Sequence, residues 1–252
     1  MSGHNKWSKI KRKKGAADAK RSKIFSRIIK ELTVAARDGG GDPDGNPRLR
    51  LAVQNAKGAN MPKDLIERAI KKGVGGEATA LMETTFEGTA NGGIAIFVEC
   101  TTDNNNRAVA DVRAVFKKHG GELGTNGSLS YLFDRKGVFV IDLSKVEGRD
   151  LEELEMELID GGLEEMDVDD EKIELTVPYE DFGKMNELLE SMQIEAESAE
   201  LQRIATSETA LDIDKSKGVL RLIEAMEELD DVNAVYHNLQ MTEELEAALE
   251  SE

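Results

Sequence analysis

The chain has 252 residues, with 33 Lys+Arg against 50 Asp+Glu, three His, one Cys and a formal net charge of −17. That length is ample to bury a core, no apolar run approaches the roughly 20 residues of a bilayer span, and the basic, polar start Met1–Gly15 lacks the apolar stretch of a secretory signal. The lone Cys100 excludes a disulfide framework and a multi-cysteine zinc site, which points to a cytoplasmic address, and the acidic total argues at first against nucleic acid as a partner.

The total conceals a split. Residues 1–73 carry 19 Lys+Arg and 7 acids, a net of +12, and residues 74–252 carry 14 against 43, a net of −29. Such asymmetry says more than the sum. The chain opens on His4-Asn5-Lys6-Trp7-Ser8-Lys9-Ile10-Lys11-Arg12-Lys13-Lys14, which shows no amphipathic period and much like charge. It reads as an arm that orders on contact with a partner. Trp7 in that arm either docks it onto the following helices or stacks on an unpaired base.

From Lys20 to Asp38, Phe25, Ile28, Ile29, Leu32, Ala35 and Ala36 recur at helical spacing, with Lys20, Lys23, Arg27, Lys30 and Arg37 opposite. Gly39-Gly40-Gly41 ends that helix. Asn46-Pro47 opens a second over Arg48–Lys57, with Leu49, Ala52, Val53 and Ala56 inward. Asn60-Met61-Pro62 opens a third over Lys63–Lys72, with Leu65, Ile66, Ala69 and Ile70 on one side and Lys63, Arg68, Lys71 and Lys72 on the other. These three short helices predict a compact bundle with its cations outside.

Past Gly73-Val74-Gly75-Gly76 the composition turns acidic. Glu83–Ala90 and Gly93–Thr102 read as strands joined by the turn dipeptide Asn91-Gly92. Asp103 caps a helix to His119, and Ser128–Asp134 forms a further strand. Then Gly137–Leu143, Leu151–Asp160, Leu163–Val168, Ile173–Val177, Phe182–Met192 and Glu195–Ala205 follow as β-α-β-β-α-β, the ferredoxin-like unit. The remaining helix Lys215–Leu229 and strand Val232–His237 have no partner of their own and complete the earlier block; a tail helix, Thr242–Leu249, ends the chain. The expected fold is α+β in three domains. Residues 1–76 form a basic three-helix domain with its arm, 77–134 plus 206–252 a discontinuous α/β domain, and 135–205 a ferredoxin-like insertion.

Enzyme signals are poor. His4, His119 and His237 lie far apart, no phosphate-loop or dinucleotide fingerprint is present, and Cys100 falls in a buried strand as an inert thiol. Acidic pairs such as Glu152-Glu153 belong to solvated faces. No cofactor, metal or small-molecule substrate is expected. The basic third instead proposes a phosphate ligand, since Lys and Arg release counterions from nucleic acid. The candidate contacts are Lys6, Trp7, Lys9, Lys11, Arg12, Lys13, Lys14, Lys20, Arg21, Lys23, Arg27, Lys30, Arg48, Arg50 and Lys63. Arg48 and Arg50 flank the second helix and either bind or border the core; with Gln54 and Asn55 they are the residues suited to reading base edges. The −29 body would repel nucleic acid, direct contact to the basic third, and suit basic ribosomal proteins.

Several runs then carry a resemblance: Gly3-His4-Asn5-Lys6-Trp7, Asp18-Ala19-Lys20-Arg21, Asn46-Pro47-Arg48-Leu49-Arg50, Asn60-Met61-Pro62-Lys63, Glu67-Arg68-Ala69-Ile70-Lys71-Lys72-Gly73 and His119-Gly120-Gly121. With Thr102-Asp103-Asn104 and Asn126-Gly127-Ser128, the whole chain resembles the YebC/PmpR family. The resemblance implies three domains, one inserted in another, and non-enzymatic regulators of gene expression. Bacterial members are described as DNA-binding transcriptional regulators. Relatives, a mitochondrial translational activator among them, act on the ribosome and ease synthesis of proline-rich stretches, so rRNA or tRNA is the alternative ligand. Two positions depart from the pattern: the usual Tyr-Gly-Pro-Gly turn stands here as Thr89-Ala90-Asn91-Gly92, and a usual Trp as Tyr131.

Overall fold

The computed structural model describes residues 3–13, 17–76 and 80–250, with only the backbone described at 4, 11–13, 17–20 and 250. The fold is α+β, and it gathers into two compact units. One comprises Met1–Lys23, Thr79–Asp134 and Ile204–Glu252; the other comprises Ile24–Ala78 and Arg135–Arg203.

The first unit is built on a four-stranded sheet of order β3-β1-β2-β8, with β1 Met82–Ala90, β2 Ile94–Thr102, β3 Glu122–Leu123 and β8 Val232–His237. Strand β2 is its apolar centre, because Ile94, Ile96 and Val98 point to one face at the two-residue period of a strand. Helices α5 (Asn105–Lys118) and α8 (Ile213–Glu227) cover that face through Val112, Phe116, Leu222 and Ile223. The other face carries Ala95, Phe97, Phe133 and Tyr236. The β1–β2 turn is longer than the two-residue hairpin expected: Asn91–Gly93 forms a 3-10 turn, with Gly92 and Gly93 at φ +78° and +76°. Cys100 is buried, as its strand position requires. The cap of α5 is Asn104 rather than Asp103, its side chain accepting from the Arg107 amide at 3.1 Å.

The N-terminal arm is corrected. Gly3–Lys13 is a helix, α1, and not a segment awaiting a partner for order. Its two large apolar residues stand three apart, so both fall on one helical face. Trp7 (5% exposed) and Ile10 enter the sheet unit's core with Leu239, Met241, Leu245 and Leu249. The last two belong to α9, Glu243–Glu250, whose carboxylates offset the like charge of α1; Lys6 Nζ lies 3.1 Å from Glu246 Oε1. Two anchors in a ready-made core outweigh a weak helical period. Of the two readings of Trp7, the structure gives docking, though onto the sheet unit.

The second unit contains the ferredoxin-like topology: β4 Phe133–Asp142, α6 Leu151–Ile159, β5 Glu165–Val168, β6 Lys172–Pro178, α7 Phe182–Ser191 and β7 Ser198–Ala205, in the sheet order β5-β6-β4-β7. Of the expected strand Ser128–Asp134 only Phe133 and Asp134 are extended, Ser130–Leu132 being a 3-10 turn; those two residues open the same strand as the expected Gly137–Leu143, because polar Asp134-Arg135-Lys136 interrupts the apolar pattern but not the backbone. Its core joins Phe139, Ile141, Ile173, Leu175, Leu154, Leu158, Met185 and Leu189. The same unit holds α2 (Ala17–Gly39) from Ile24 onward, α3 (Pro47–Gly58) and α4 (Lys63–Val74). Leu51 of α3 packs against the sheet core. Gly58 closes α3 where a Cβ would stand 1.8 Å from the Glu197 carbonyl oxygen, so only glycine lets the helix end meet the start of β7.

Candidate nucleic-acid interface

The bundle α2–α4 uses its apolar residues inward. Leu32, Ala35, Ala36, Leu49, Ala52, Ala56, Met61, Ile66 and Ala69 share one core, and the many alanines let the helix axes approach closely. Thr33 sits at the α2–α4 contact, its hydroxyl donating to the Ile29 carbonyl at 2.6 Å and the Ala69 carbonyl at 3.3 Å. Buried Asn46 ties two helices together. Its Oδ1 accepts from the Leu49 amide at 3.1 Å, and its Nδ2 donates to the carbonyls of Ala35 and Gly40, both at 2.8 Å. With apolar and capping groups spent inside, the long cations have only the outside to occupy.

Most of the described candidates there are already engaged. Arg48 forks onto Glu31 at 2.8 and 3.2 Å, with Asp38 at 3.7 Å. Arg50 donates to the carbonyls of Pro43 (3.2 Å) and Asp44 (2.9 Å), bracing the α2–α3 loop. Lys23 meets Glu228 at 3.0 Å and Lys63 meets Glu67 at 3.6 Å. Lys9, Arg21, Arg27 and Lys30 also have partners. The Arg37 guanidinium hydrogen-bonded to Asp38, with Arg48 further off, holds the Asp38 carboxyl below its usual value.

The candidates divide between the units. Lys6, Trp7, Lys9, Arg21 and Lys23 belong to the sheet unit, and Arg27, Lys30, Arg48, Arg50 and Lys63 to the bundle's unit. Lys14 lies outside the described residues, as do the side chains of Lys11, Arg12, Lys13 and Lys20. Sequence reasoning placed Arg68, Lys71 and Lys72 on the outer side of α4 but carried only Lys63 forward. Lys71 and Lys72 are exposed in its last turn, and Lys57 is exposed in the last turn of α3; none of the three forms an ion pair with the described residues. The signal was present: cations at helix C-termini are favoured by the helix dipole, and here they also stand apart from acids.

The residues suited to base reading are largely occupied. Asn55 donates to the Ala199 carbonyl at 3.0 Å and accepts from the Ala199 amide at 2.9 Å, the amide pair a strand would make. Arg48 and Arg50 are held as described, and Gln54 is half-buried. What this surface offers is charge, not a code.

Groups for covalent chemistry stay apart. His237 and Cys100 are buried, and His119 ends α5. Among the described residues no cluster of His, Cys, Asp and Glu could hold a metal, and no helix is long and apolar enough to cross a membrane. A hollow of about 590 Å³ in the second unit is lined by Asp142, Ser144, Arg149 and Lys172 among others. Its Lys172 is paired with Asp142 and Glu197, and its Arg149 donates to the Met192 carbonyl at 3.0 Å.

Two family models match the chain, the TACO1/YebC protein N-terminal domain over residues 5–76 and the TACO1/YebC second and third domain over residues 81–239. A protein of Geobacter sp. strain M21 is 51% identical over 245 residues, covering 97% of this chain and 98% of the relative. One of Chlorobaculum parvum is 46% identical and covers all of both chains. Both are named probable transcriptional regulatory proteins. The crystal structure of a conserved hypothetical protein of Aquifex aeolicus superposes with a TM-score of 0.82 at 41% identity, over 90% of this chain and 93% of that one.

Proposed function

The chain belongs to the TACO1/YebC family, and from that membership we propose that it regulates gene expression without catalysis, by binding nucleic acid through the cationic faces of its N-terminal helices. The observation that carries this reading is the segregation of charge, +12 over residues 1–73 against −29 beyond. A shared core consumes the apolar sides of α2–α4 and leaves Lys57, Lys63, Lys71 and Lys72 facing outward. Arg27, Lys30, Arg48 and Arg50 of the bundle's unit are further contacts on this reading, and in the sheet unit the contacts are Lys6, Lys9, Arg21 and Lys23, with Lys11, Arg12, Lys13, Lys14 and Lys20 added from the sequence. Neutralised phosphates and released counterions supply the affinity. The acidic remainder repels phosphate and keeps contact on the basic side. No cofactor, metal or small substrate enters this reading, and its setting is the cytoplasm.

The relatives' names make duplex DNA the first ligand to test. Purified protein should shift promoter DNA at about 150 mM salt and keep doing so against competitor DNA. Loss of the shift under competitor removes sequence-specific DNA binding.

A second reading, contact with ribosomal RNA and basic ribosomal proteins, is favoured by one observation. Asn55, Arg48 and Arg50, the groups suited to base edges, already serve protein partners. What is left is suited to backbone charge, which RNA presents equally well. On this reading the chain co-sediments with ribosomes, and Glu at Lys11, Arg12 and Lys13 releases it. Absence from ribosomal fractions in gentle gradients sinks it.

A further inference from the structure

Helices α1 and α9 are opposite in charge. Gly3–Lys13 carries Lys6, Lys9, Lys11, Arg12 and Lys13 and no acid, whereas Glu243–Glu250 carries Glu243, Glu244, Glu246 and Glu250 and no cation. Both belong to the sheet unit, where they pack against each other.

Acids hold α1 at two points. At its start the Gly3 amide donates to Glu208 Oε1 at 2.5 Å, and a Cβ on Gly3 would stand 2.2 Å from the Leu239 carbonyl oxygen, so the helix begins where only glycine fits. One turn on, Lys6 Nζ lies 3.1 Å from Glu246 Oε1, and Glu243 stands one turn before Glu246 on the same side of α9. Trp7 and Ile10 share the unit's core with Leu245 and Leu249 of α9. The seat leaves one group unmet. The Trp7 indole N–H is buried with no acceptor among the described residues, a donor that water would satisfy once the ring left the core. A phosphate that takes Lys6 competes with Glu246 for the same ammonium, so binding at α1 and docking on α9 oppose each other.

We propose that α9 is an intramolecular competitor of nucleic acid: its carboxylates stand in for phosphates against α1, and nucleic acid binds this helix by drawing it off its seat. The inference rests on the nucleic-acid reading above and supplies its regulation. In the free protein the docked state predominates, and apparent affinity is lowered by the small fraction of molecules in which α1 is released. Weakening the α9 contact raises that fraction and returns Lys6 to the cations open to phosphate.

The test uses the full chain with a duplex DNA and a single-stranded RNA. Binding of each fluorescein-labelled probe is followed by anisotropy, and Trp7 emission is read with the unlabelled ones. Glu243→Gln with Glu246→Gln keeps Leu245 and Leu249 in place and should raise affinity about twofold to tenfold at low salt. The salt slope should steepen by about 0.9 on the duplex or about 0.7 on the single strand, the share of one recovered phosphate contact. Glu152→Gln with Glu155→Gln makes the same change of net charge on exposed residues of α6 and should leave affinity within about 1.5-fold of the parent. At saturation the emission of Trp7, the only tryptophan, should move to the longer wavelengths of an indole outside the core. Circular dichroism checks that each variant folds. Unchanged affinity in the α9 variant overturns the inference while leaving the nucleic-acid reading intact, and so does an equal gain in the α6 variant or unchanged Trp7 emission at saturation. If the unaltered chain binds neither probe, the nucleic-acid reading fails and the inference with it.

Discussion

Two groups of cations in this chain differ in how much of their charge is already paired. In the first third, where the formal charge is highest, many cations stand beside carboxylates: Arg48 on Glu31, Lys23 on Glu228, Lys6 on Glu246, Arg68 on Asp64. In α5, inside the acidic body, Arg113, Lys117 and Lys118 are exposed with no such partner among the described residues. Formal charge and available charge are therefore different quantities. A paired cation must exchange one anion for another when phosphate arrives, and gains only the difference. An unpaired one exchanges only water and loosely held counterions. Lys57, Lys71 and Lys72 show that the first third has unpaired cations too, gathered at the C-terminal turns of α3 and α4.

The largest perturbation of that contrast is at Trp7. Trp7→Ala removes the main anchor of α1 and should cost about 3–5 kcal/mol of the sheet unit's stability, read by denaturant unfolding. In the parent protein Trp7 is the only tryptophan, so its emission reports the docking of α1 directly and should be that of a buried indole. A solvent-exposed emission maximum in the native protein would show that α1 does not dock. Undocking also separates Lys6 from Glu246, moving α1 from the paired class to the unpaired one.

Asn55→Ala comes next. It deletes both amide bonds to Ala199 and should cost about 1–3 kcal/mol, with no change in nucleic-acid affinity. A fall in affinity at preserved stability would instead make Asn55 a base-reading residue, and the α3 surface would carry a code after all.

How far the sequence foretold this molecule depended on the range of the interactions involved. The three amphipathic helices and the β-α-β-β-α-β order were legible, since both rest on local periodicity and short connections. Capping at Asn46 was legible for the same reason. The fate of α1 was not, because its helix depends on Leu239, Met241, Leu245 and Leu249, more than two hundred residues away. Pairing was equally hidden. Glu31 is seventeen positions from Arg48 and Glu228 is 205 from Lys23, distances at which no helical rule brings charges together.

Glu31→Gln probes the pairing itself. The exposed Arg48–Glu31 pair should contribute under about 1 kcal/mol to stability, but its loss takes away the nearer of the two carboxylates beside Arg48, leaving Asp38 at 3.7 Å. Affinity for RNA or duplex DNA should rise about twofold to fivefold at low salt, with a steeper salt slope. In α5 the equivalent change is open only at Arg107, which pairs with Asp103 and Asp231; Arg113, Lys117 and Lys118 have no such partner among the described residues. Unchanged affinity in Glu31→Gln would mean that pairing does not mask Arg48, and the distinction between the two regions would shrink to geometry.

The smallest effect is at Asp38, and its sign follows from the neighbouring cations. Arg37, and Arg48 behind it, hold the Asp38 carboxyl below its ordinary value, so the carboxylate form is favoured by folding. Its contribution is fully present above the unfolded value of about 3.9 and is lost as pH falls through the lower folded value. Because the pair is exposed, the stability difference between the parent and Asp38→Asn should be under about 1 kcal/mol at neutral pH. It should vanish in acid below the folded value, as read by thermal melts across that range. The same protonation takes one carboxylate partner from Arg37 and the more distant one from Arg48, which keeps Glu31. A parent and variant that stay equally far apart in acid would show that the Asp38 effect is packing rather than charge, and the α2 cations would then owe their orientation to the helix alone.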